Sequence, residues 1–154
     1  MLDVLIQTNL HSKAAAKEAF LPVIRELVRA YQALYNYSAL HVRELGLTPS
    51  QFDVISTLGN TPGMSMNKLG EKTLITKGTL TGIIDRLEQK GLVRREVPEE
   101  NRRSFTIVLT LEGEKVFEEV FPAHIAYLKQ RFEDLNPQEL LEIQSMLKAL
   151  RERF

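Results

Sequence analysis

The chain has 154 residues, 44% apolar and 26% charged, so it can bury a core and is not a disordered tail. Its net charge of zero excludes a uniformly basic coat for nucleic acid, and the lack of cysteine excludes disulfides, cysteine-ligated zinc and thiol redox sensing. No apolar run is long enough, at about 18 residues, to predict a membrane span. Residues 1–11 lack the basic region of a secretory signal, so a cytoplasmic protein is expected.

A long N-terminal helix is predicted from about Lys13 to Leu45, because apolar side chains recur there at steps of three and four residues. Pro22 predicts a start or a kink in this helix. Gly46 predicts its end.

Three further helices are predicted from their caps. Thr48 and Gln51 form a capping box that opens the first, Ser65 caps a short second helix, and Thr76 caps a third that ends before Gly91. The short helix and its successor, joined by a tight turn, are typical of a helix-turn-helix. The third helix has a predicted buried stripe of Leu80, Ile83, Ile84 and Leu87.

A β-hairpin is predicted next, with strands at Val93–Val97 and Phe105–Leu109 around the polar turn Pro98–Arg103. Thr110 then caps a helix predicted to run through Phe132, and Pro122 predicts a kink within it. A capping box at Asn136–Glu139 opens the last predicted helix.

The charges are unevenly distributed along the chain. Residues 64–104 carry nine Lys/Arg against six Asp/Glu, whereas residues 105–154 carry six against nine. The middle is therefore basic and the C-terminal part acidic, a separation that matters if the middle segment meets phosphate.

An ordered set of motifs resembles the MarR family of winged helix-turn-helix transcriptional regulators, over the range from about Phe20 to Phe154. The matching residues are Thr79-Leu80-Thr81, Ile84-Asp85-Arg86-Leu87-Glu88, Lys90-Gly91-Leu92-Val93, Asn101-Arg102-Arg103-Ser104 and Leu109-Thr110-Leu111-Glu112-Gly113. The resemblance implies a homodimer whose first and last helices intertwine, with the tip of the wing in the minor groove. The family usually has Asp at the position of Asn101, where it braces the wing arginine, so the wing tip is expected to be less firmly held here.

The expected fold is therefore mainly α with a small β-hairpin wing. Residues 1–46 and 110–154 are expected to form a helical dimerisation region, and residues 47–109 a winged helix-turn-helix DNA-binding domain. The expected function is that of a transcriptional regulator, and specifically of a repressor. It is expected to bind a pseudo-palindromic double-stranded operator as a homodimer.

Candidate DNA contacts lie on the two helix-turn-helix helices and the wing. Gly78 and Gly82 on an exposed helix face cost about 1 kcal/mol each relative to Ala, which indicates either tolerated drift or close approach of the backbone to base edges. Arginine side chains in the wing suit a narrow minor groove. The full set is Ser65, Asn67, Lys68, Thr76, Lys77, Gly78, Thr79, Thr81, Gly82, Arg86, Arg102 and Arg103.

A small anionic or aromatic effector is the expected modulator of DNA affinity. Its candidate contacts are Tyr31, Tyr35, His41 and Phe52, at the junction of the two regions; plain core is the alternative for these aromatic residues. No cofactor is expected, and no enzyme, because the chain lacks a phosphate loop, a Gly-x-Ser-x-Gly and a His-Glu-x-x-His motif.

The three histidines, His11, His41 and His124, have no partner at helical ligand spacing, although His41 and His124 would meet if the first and fifth helices touch, with Glu44 nearby. A bound metal is therefore not predicted. A metal-responsive regulator and a DNA-binding protein without an effector are the alternatives left open.

Overall fold

The computed structural model describes residues 12–97 and 105–154, which fall into two compact units, one ending at Tyr37 and one beginning at Ser38. The helices are α1 (Ser12–Ala15), α2 (Leu21–Glu44), α3 (Pro49–Leu58), α4 (Met66–Thr73), α5 (Lys77–Gln89), α6 (Leu111–Lys129) and α7 (Pro137–Arg151). The strands are β1 (Met64–Ser65), β2 (Val93–Glu96) and β3 (Thr106–Leu109). The mainly helical fold with a small sheet confirms the predicted fold class.

The first unit contains α1 and the greater part of α2. The prediction of one helix from Lys13 was wrong, because α1 ends at Ala15 and α2 begins at Leu21. Pro22 is the second residue of α2, as the predicted helix start requires, since proline is tolerated in a first turn where its missing N–H has no acceptor.

The core of the second unit forms around α3. This helix contacts α4, α5, α6 and β3, and its side chains Val54, Ile55 and Leu58 are almost completely buried. The stripe predicted for α5 is confirmed, since Leu80, Ile83, Ile84 and Leu87 are all buried. One continuous core therefore connects α5 to α6 through α3.

The sheet has the order β1-β3-β2 and is antiparallel throughout. Val93 pairs with Leu109 across the predicted hairpin, while Met64 of β1 pairs with Ile107 on the other edge. The two hairpin strands are confirmed, each shorter by one residue than predicted. Strand β1 was missed because two residues are too few to show an alternating pattern.

Most predicted caps are confirmed. The side chains of Thr48, Ser65, Thr110 and Asn136 each accept a hydrogen bond from the backbone N–H three residues later. Thr76 is at the N-cap of α5, but the predicted capping bond is wrong, because its hydroxyl is hydrogen-bonded to the Thr79 hydroxyl instead.

The last helix, α7, has no buried residue. Its exposed large apolar side chains are Leu140, Leu141, Ile143, Met146 and Leu147. Among the described residues, no helix is both long and apolar enough to cross a membrane.

Candidate nucleic-acid interface

Helices α4 and α5 are joined by a sharp turn. Leu74 caps α4 in the left-handed conformation, with φ of 57°, and the chain re-enters a helix at Lys77. Leu69 of α4 and Leu80 of α5 are both fully buried, which fixes the two helices to the core. The opposite face of α5 is therefore turned to solvent.

The N-terminal half of α5 exposes short polar side chains and one cation. Lys77, Thr79 and Thr81 are all exposed. The Thr81 hydroxyl donates to the Lys77 carbonyl oxygen at 3.0 Å, and the Thr76 hydroxyl donates to that of Thr79 at 3.1 Å. With its proton donated to Lys77, the Thr81 hydroxyl oxygen can still accept a hydrogen bond.

Gly78 and Gly82 interrupt this exposed row. A Cβ placed on either residue would meet nothing within 4 Å. Packing within the described protein therefore requires neither glycine, in contrast to Gly113, where a Cβ would overlap the Leu92 carbonyl oxygen. The fold itself would therefore accommodate a side chain at both positions.

The other predicted DNA contacts divide by location. Asn67, Lys68 and Arg86 are exposed. Ser65 is also exposed, but its hydroxyl accepts from the Lys68 backbone N–H at 3.3 Å and so has a structural role. The two wing arginines, Arg102 and Arg103, lie outside the described residues, as does Asn101.

Sequence reasoning missed an ionic cluster that ties α5 to the sheet. The Arg95 guanidinium on β2 donates to Asp85 at 2.6 Å and to Glu88, both on α5, and lies 5.6 Å from the centre of the Phe105 ring. The hydrogen bond to Asp85 and the charges of both carboxylates raise the pKa of Arg95. The signal was present in the i, i+3 spacing of Asp85 and Glu88, but the identity of their partner depends on tertiary contact.

The positive charge of Arg95 compensates the negative charges of both carboxylates on α5, the helix that presents polar groups to solvent. Its side chain is only 26% exposed, whereas the neighbouring Arg94 pairs with Glu96 on its own strand at 53% exposure. The described partner of Asp85 is Arg95.

The predicted effector residues lie in both units. In the first unit, the rings of Tyr31 and Tyr35 stack with centroids 6.2 Å apart and remain 65% and 46% exposed. In the second, His41 and the buried Phe52 both contact the ring of His124, at centroid distances of 5.3 and 4.7 Å. The expectation that His41 and His124 meet is confirmed.

Two further residues complete the histidine site and were missed from the sequence. Ser38 Oγ is 2.9 Å from His124 Nε2, and the Tyr127 ring stacks on His41 at 4.1 Å. No set of three His, Asp or Glu side chains suited to a metal ion occurs within residues 12–97 and 105–154. The histidine site offers ring nitrogens and a hydroxyl group for hydrogen bonding.

Comparison with known proteins identifies the class. A model of the MarR family matches residues 47–105. The HTH-type transcriptional repressor YetL of Bacillus subtilis is 30% identical over 150 residues, which cover 96% of this chain and 87% of the repressor.

Two solved structures share the fold. A structure of Bordetella bronchiseptica BpsR, whose DNA binding is regulated by 6-hydroxynicotinic acid, has a TM-score of 0.76 and 27% identity, covering 87% of this chain and 96% of that one. NadR in complex with 4-hydroxyphenylacetate has a TM-score of 0.71 and 28% identity, covering 84% and 95%.

The helix-turn-helix of α4 and α5, backed by an antiparallel sheet, defines a winged-helix DNA-binding transcriptional regulator. The chain belongs to the MarR family, as the sequence motifs indicated.

Proposed function

We propose that this protein represses transcription by binding a pseudo-palindromic operator as a homodimer, and that a small hydroxylated aromatic carboxylate releases it. The observation that carries the proposal is the exposed N-terminal half of α5, where Gly78 and Gly82 remove side chains that the protein itself would accommodate. Residues 47–109 act as the DNA-binding domain.

In this arrangement α5 enters the major groove. Lys77 reaches a phosphate, Thr81 meets base edges, and the backbone approaches closely at both glycines. Arg102 and Arg103 of the wing insert into the adjacent minor groove, where negative potential is concentrated. The remaining contacts are assigned to Ser65, Asn67, Lys68, Thr76, Gly78, Thr79, Gly82 and Arg86.

We propose that a second copy of the chain packs against the terminal helices, within residues 1–46 and 110–154. Helix α7 buries none of its residues, and α2 exposes Val23, Ile24 and Leu27. Large apolar side chains exposed in such numbers on a small protein mark an interface. A two-fold dimer places its recognition helices in successive major grooves about 10 base pairs apart.

The proposed effector class follows from the aromatic residues of both units and from the ligands of the two structural relatives. Tyr31 and Tyr35 of the first unit supply two phenols, whereas His41 and Phe52 of the second supply an imidazole and a phenyl ring. Groups of these kinds suit an aromatic ring bearing hydroxyl and carboxylate groups. A ligand lowers DNA affinity only if it binds the free conformation better than the DNA-bound one.

Selection of duplexes from a random library by the purified protein tests DNA recognition. We expect a pseudo-palindrome, and insertion of about five base pairs between its half-sites should abolish binding by rotating one half-site to the opposite face. Sedimentation should give a dimer at micromolar concentration. Failure to select any sequence would overturn the proposed function.

The effector is tested on the selected operator with a panel of hydroxylated benzoates, phenylacetates and nicotinates. The active compound should lose its effect on Tyr35→Ala, while this variant still binds the operator. If the compound releases Tyr35→Ala from the operator at the same concentration that releases the wild type, the assignment of Tyr35 to the effector site is contradicted. If no compound in the panel changes affinity, the protein is a DNA-binding regulator without an effector of this class.

A further inference from the structure

The histidine site of the second unit joins three helices through one buried ring. His124 on α6 is only 2% exposed. Its Nε2 is 2.9 Å from Ser38 Oγ and its Nδ1 is 3.0 Å from His41 Nδ1, both on the C-terminal part of α2. Phe52 of α3 meets the same ring edge-on, and Tyr127 stacks on His41.

The distance between the two Nδ1 atoms limits the number of protons the pair can hold. Only one hydrogen fits between two nitrogens 3.0 Å apart, so one imidazole donates and the other accepts. The neutral pair satisfies this in either direction, with Ser38 donating to or accepting from His124 Nε2. Protonation of His41 alone also preserves the bond, because its Nδ1–H then donates to His124.

A second proton is incompatible with this geometry. When both imidazoles are charged, both Nδ1 atoms carry hydrogens that face each other, and two positive charges lie side by side in a partly buried site. The rings must then separate. We propose that the His41–His124 pair is a proton-sensitive joint, closed while at most one ring is protonated and opened in acid, and that its opening lowers affinity for DNA.

The surroundings of His124 oppose its protonation. Burial lowers the pKa of His124 from its ordinary value of 6.5, and the charge of His41 lowers it further. The groups facing His124 are Ser38 and His41 from α2, Phe52 from α3 and Tyr127 from α6.

Each of the three helices carries charged side chains, and those of α6 on either side of His124 in the sequence are Glu119 and Lys129. The one charged side chain of α3 is Asp53, whose pKa is raised by burial, so it too loses its negative charge more readily as the pH falls. Arg43 and Glu44 follow His41 on α2, and both are exposed. After burial, the charge of His41 is the cause that lowers the pKa of His124.

The sign of the pH effect follows from the lowered pKa. Below about pH 6.5 the unfolded chain binds a proton at this residue more readily than the folded protein does. The contribution of His124 to stability is thus complete above that pH. It is lost as the pH falls through the lower pKa of the folded state.

Proton NMR of the imidazole rings tests the joint directly. The chain has three histidines, so His41→Asn, His124→Asn and His11→Gln assign every ring signal. We expect His124 to titrate below the ordinary histidine range, and its pKa to rise in His41→Asn, which retains a hydrogen-bonding side chain without the charge. A His124 pKa at or above the ordinary value in the wild type would overturn the proposal.

Affinity for the selected operator, measured between about pH 7.5 and 5.5, tests the consequence and rests on the proposed function. The wild type and His11→Gln should lose about tenfold or more in affinity over this range, which is within the maximum that linkage of one proton per protomer allows. The loss in His41→Asn should be at most about threefold. An equal loss in all three proteins would overturn the link between the joint and DNA binding.

Failure of the proposed function is distinguishable from failure of the joint. If the wild type selects no operator at neutral pH, the proposed function has failed, and the NMR titration still decides whether the joint exists. If His124→Asn does not fold, His41→Asn, at a partly exposed position, gives the same comparison.

Discussion

Replacing Gly82 or Gly78 by Ala should stabilise the protein and weaken its binding to DNA. Neither new methyl group meets an atom within 4 Å, so no steric cost opposes the substitution in the free protein. Ala is favoured over Gly in a helix by about 1 kcal/mol, because the unfolded chain loses less backbone entropy on folding. The free energy of unfolding should therefore rise by up to about 1 kcal/mol per substitution.

The effect on DNA binding has the opposite sign. If the backbone of α5 packs against base edges, an added methyl group overpacks an interface of interior density, at about 1 kcal/mol or more per contact. The dimer contains each substitution twice, so about 2 kcal/mol, or about thirtyfold in affinity, should be lost. Binding to random duplexes, governed mainly by phosphate contacts, should change much less.

Two measurements on the same samples distinguish the outcomes. Urea unfolding followed by circular dichroism gives the change in stability, and fluorescence anisotropy on operator and random duplexes gives the change in affinity. The reasoning is refuted if Gly82→Ala and Gly78→Ala are both stabilised and bind the operator as tightly as the wild type, because the glycines would then be drift on a solvated face.

Three other predictions concern the charged and polar groups of the interface. Arg95→Gln should lower the free energy of unfolding by about 1–2 kcal/mol and weaken operator binding, because Asp85 and Glu88 lose their compensating charge. The matched variant Arg94→Gln removes an exposed ion pair and should change the free energy of unfolding by less than about 1 kcal/mol. Equal losses in the two variants would contradict a positioning role for Arg95. Lys77→Ala should lower the salt slope of binding by about one on every duplex, whereas Lys148→Ala on α7 should leave it unchanged. Thr81→Ala should alter sequence preference, so an equal loss on operator and random DNA would remove its base-reading role.

Features determined by short stretches of chain were predictable from the sequence. The capping boxes at Thr48 and Asn136 depend on residues three positions apart, and the buried stripe of α5 on a period of 3.6 residues. Both were confirmed. Thr76 occupies an N-cap as predicted, but the hydroxyl of Thr79 competes for its hydrogen bond, and the sequence does not rank the two partners.

Features that depend on long-range contact were not predictable to the same degree. Strand β1 exists because Met64 pairs with Ile107, 43 residues later, and Arg95 acquires its role from carboxylates on the preceding helix. For the histidines, the meeting of His41 and His124 was anticipated from the expected helix order. The hydrogen bond of Ser38 to His124 and the stacking of Tyr127 on His41 were missed.

The position of α3 explains how a small event at the histidine site would reach the DNA-facing helix. Phe52 contacts His124, while Val54, Ile55 and Leu58 of the same helix belong to the core that holds α5. Close-packed interiors transmit displacements rather than absorb them, because they contain few voids into which side chains can move. Rotation or translation of α3 on opening of the histidine pair would therefore be shared with α5. Arg95 separately ties the C-terminal half of α5, through Asp85 and Glu88, to strand β2 of the sheet. The helix and the base of the wing would therefore move together.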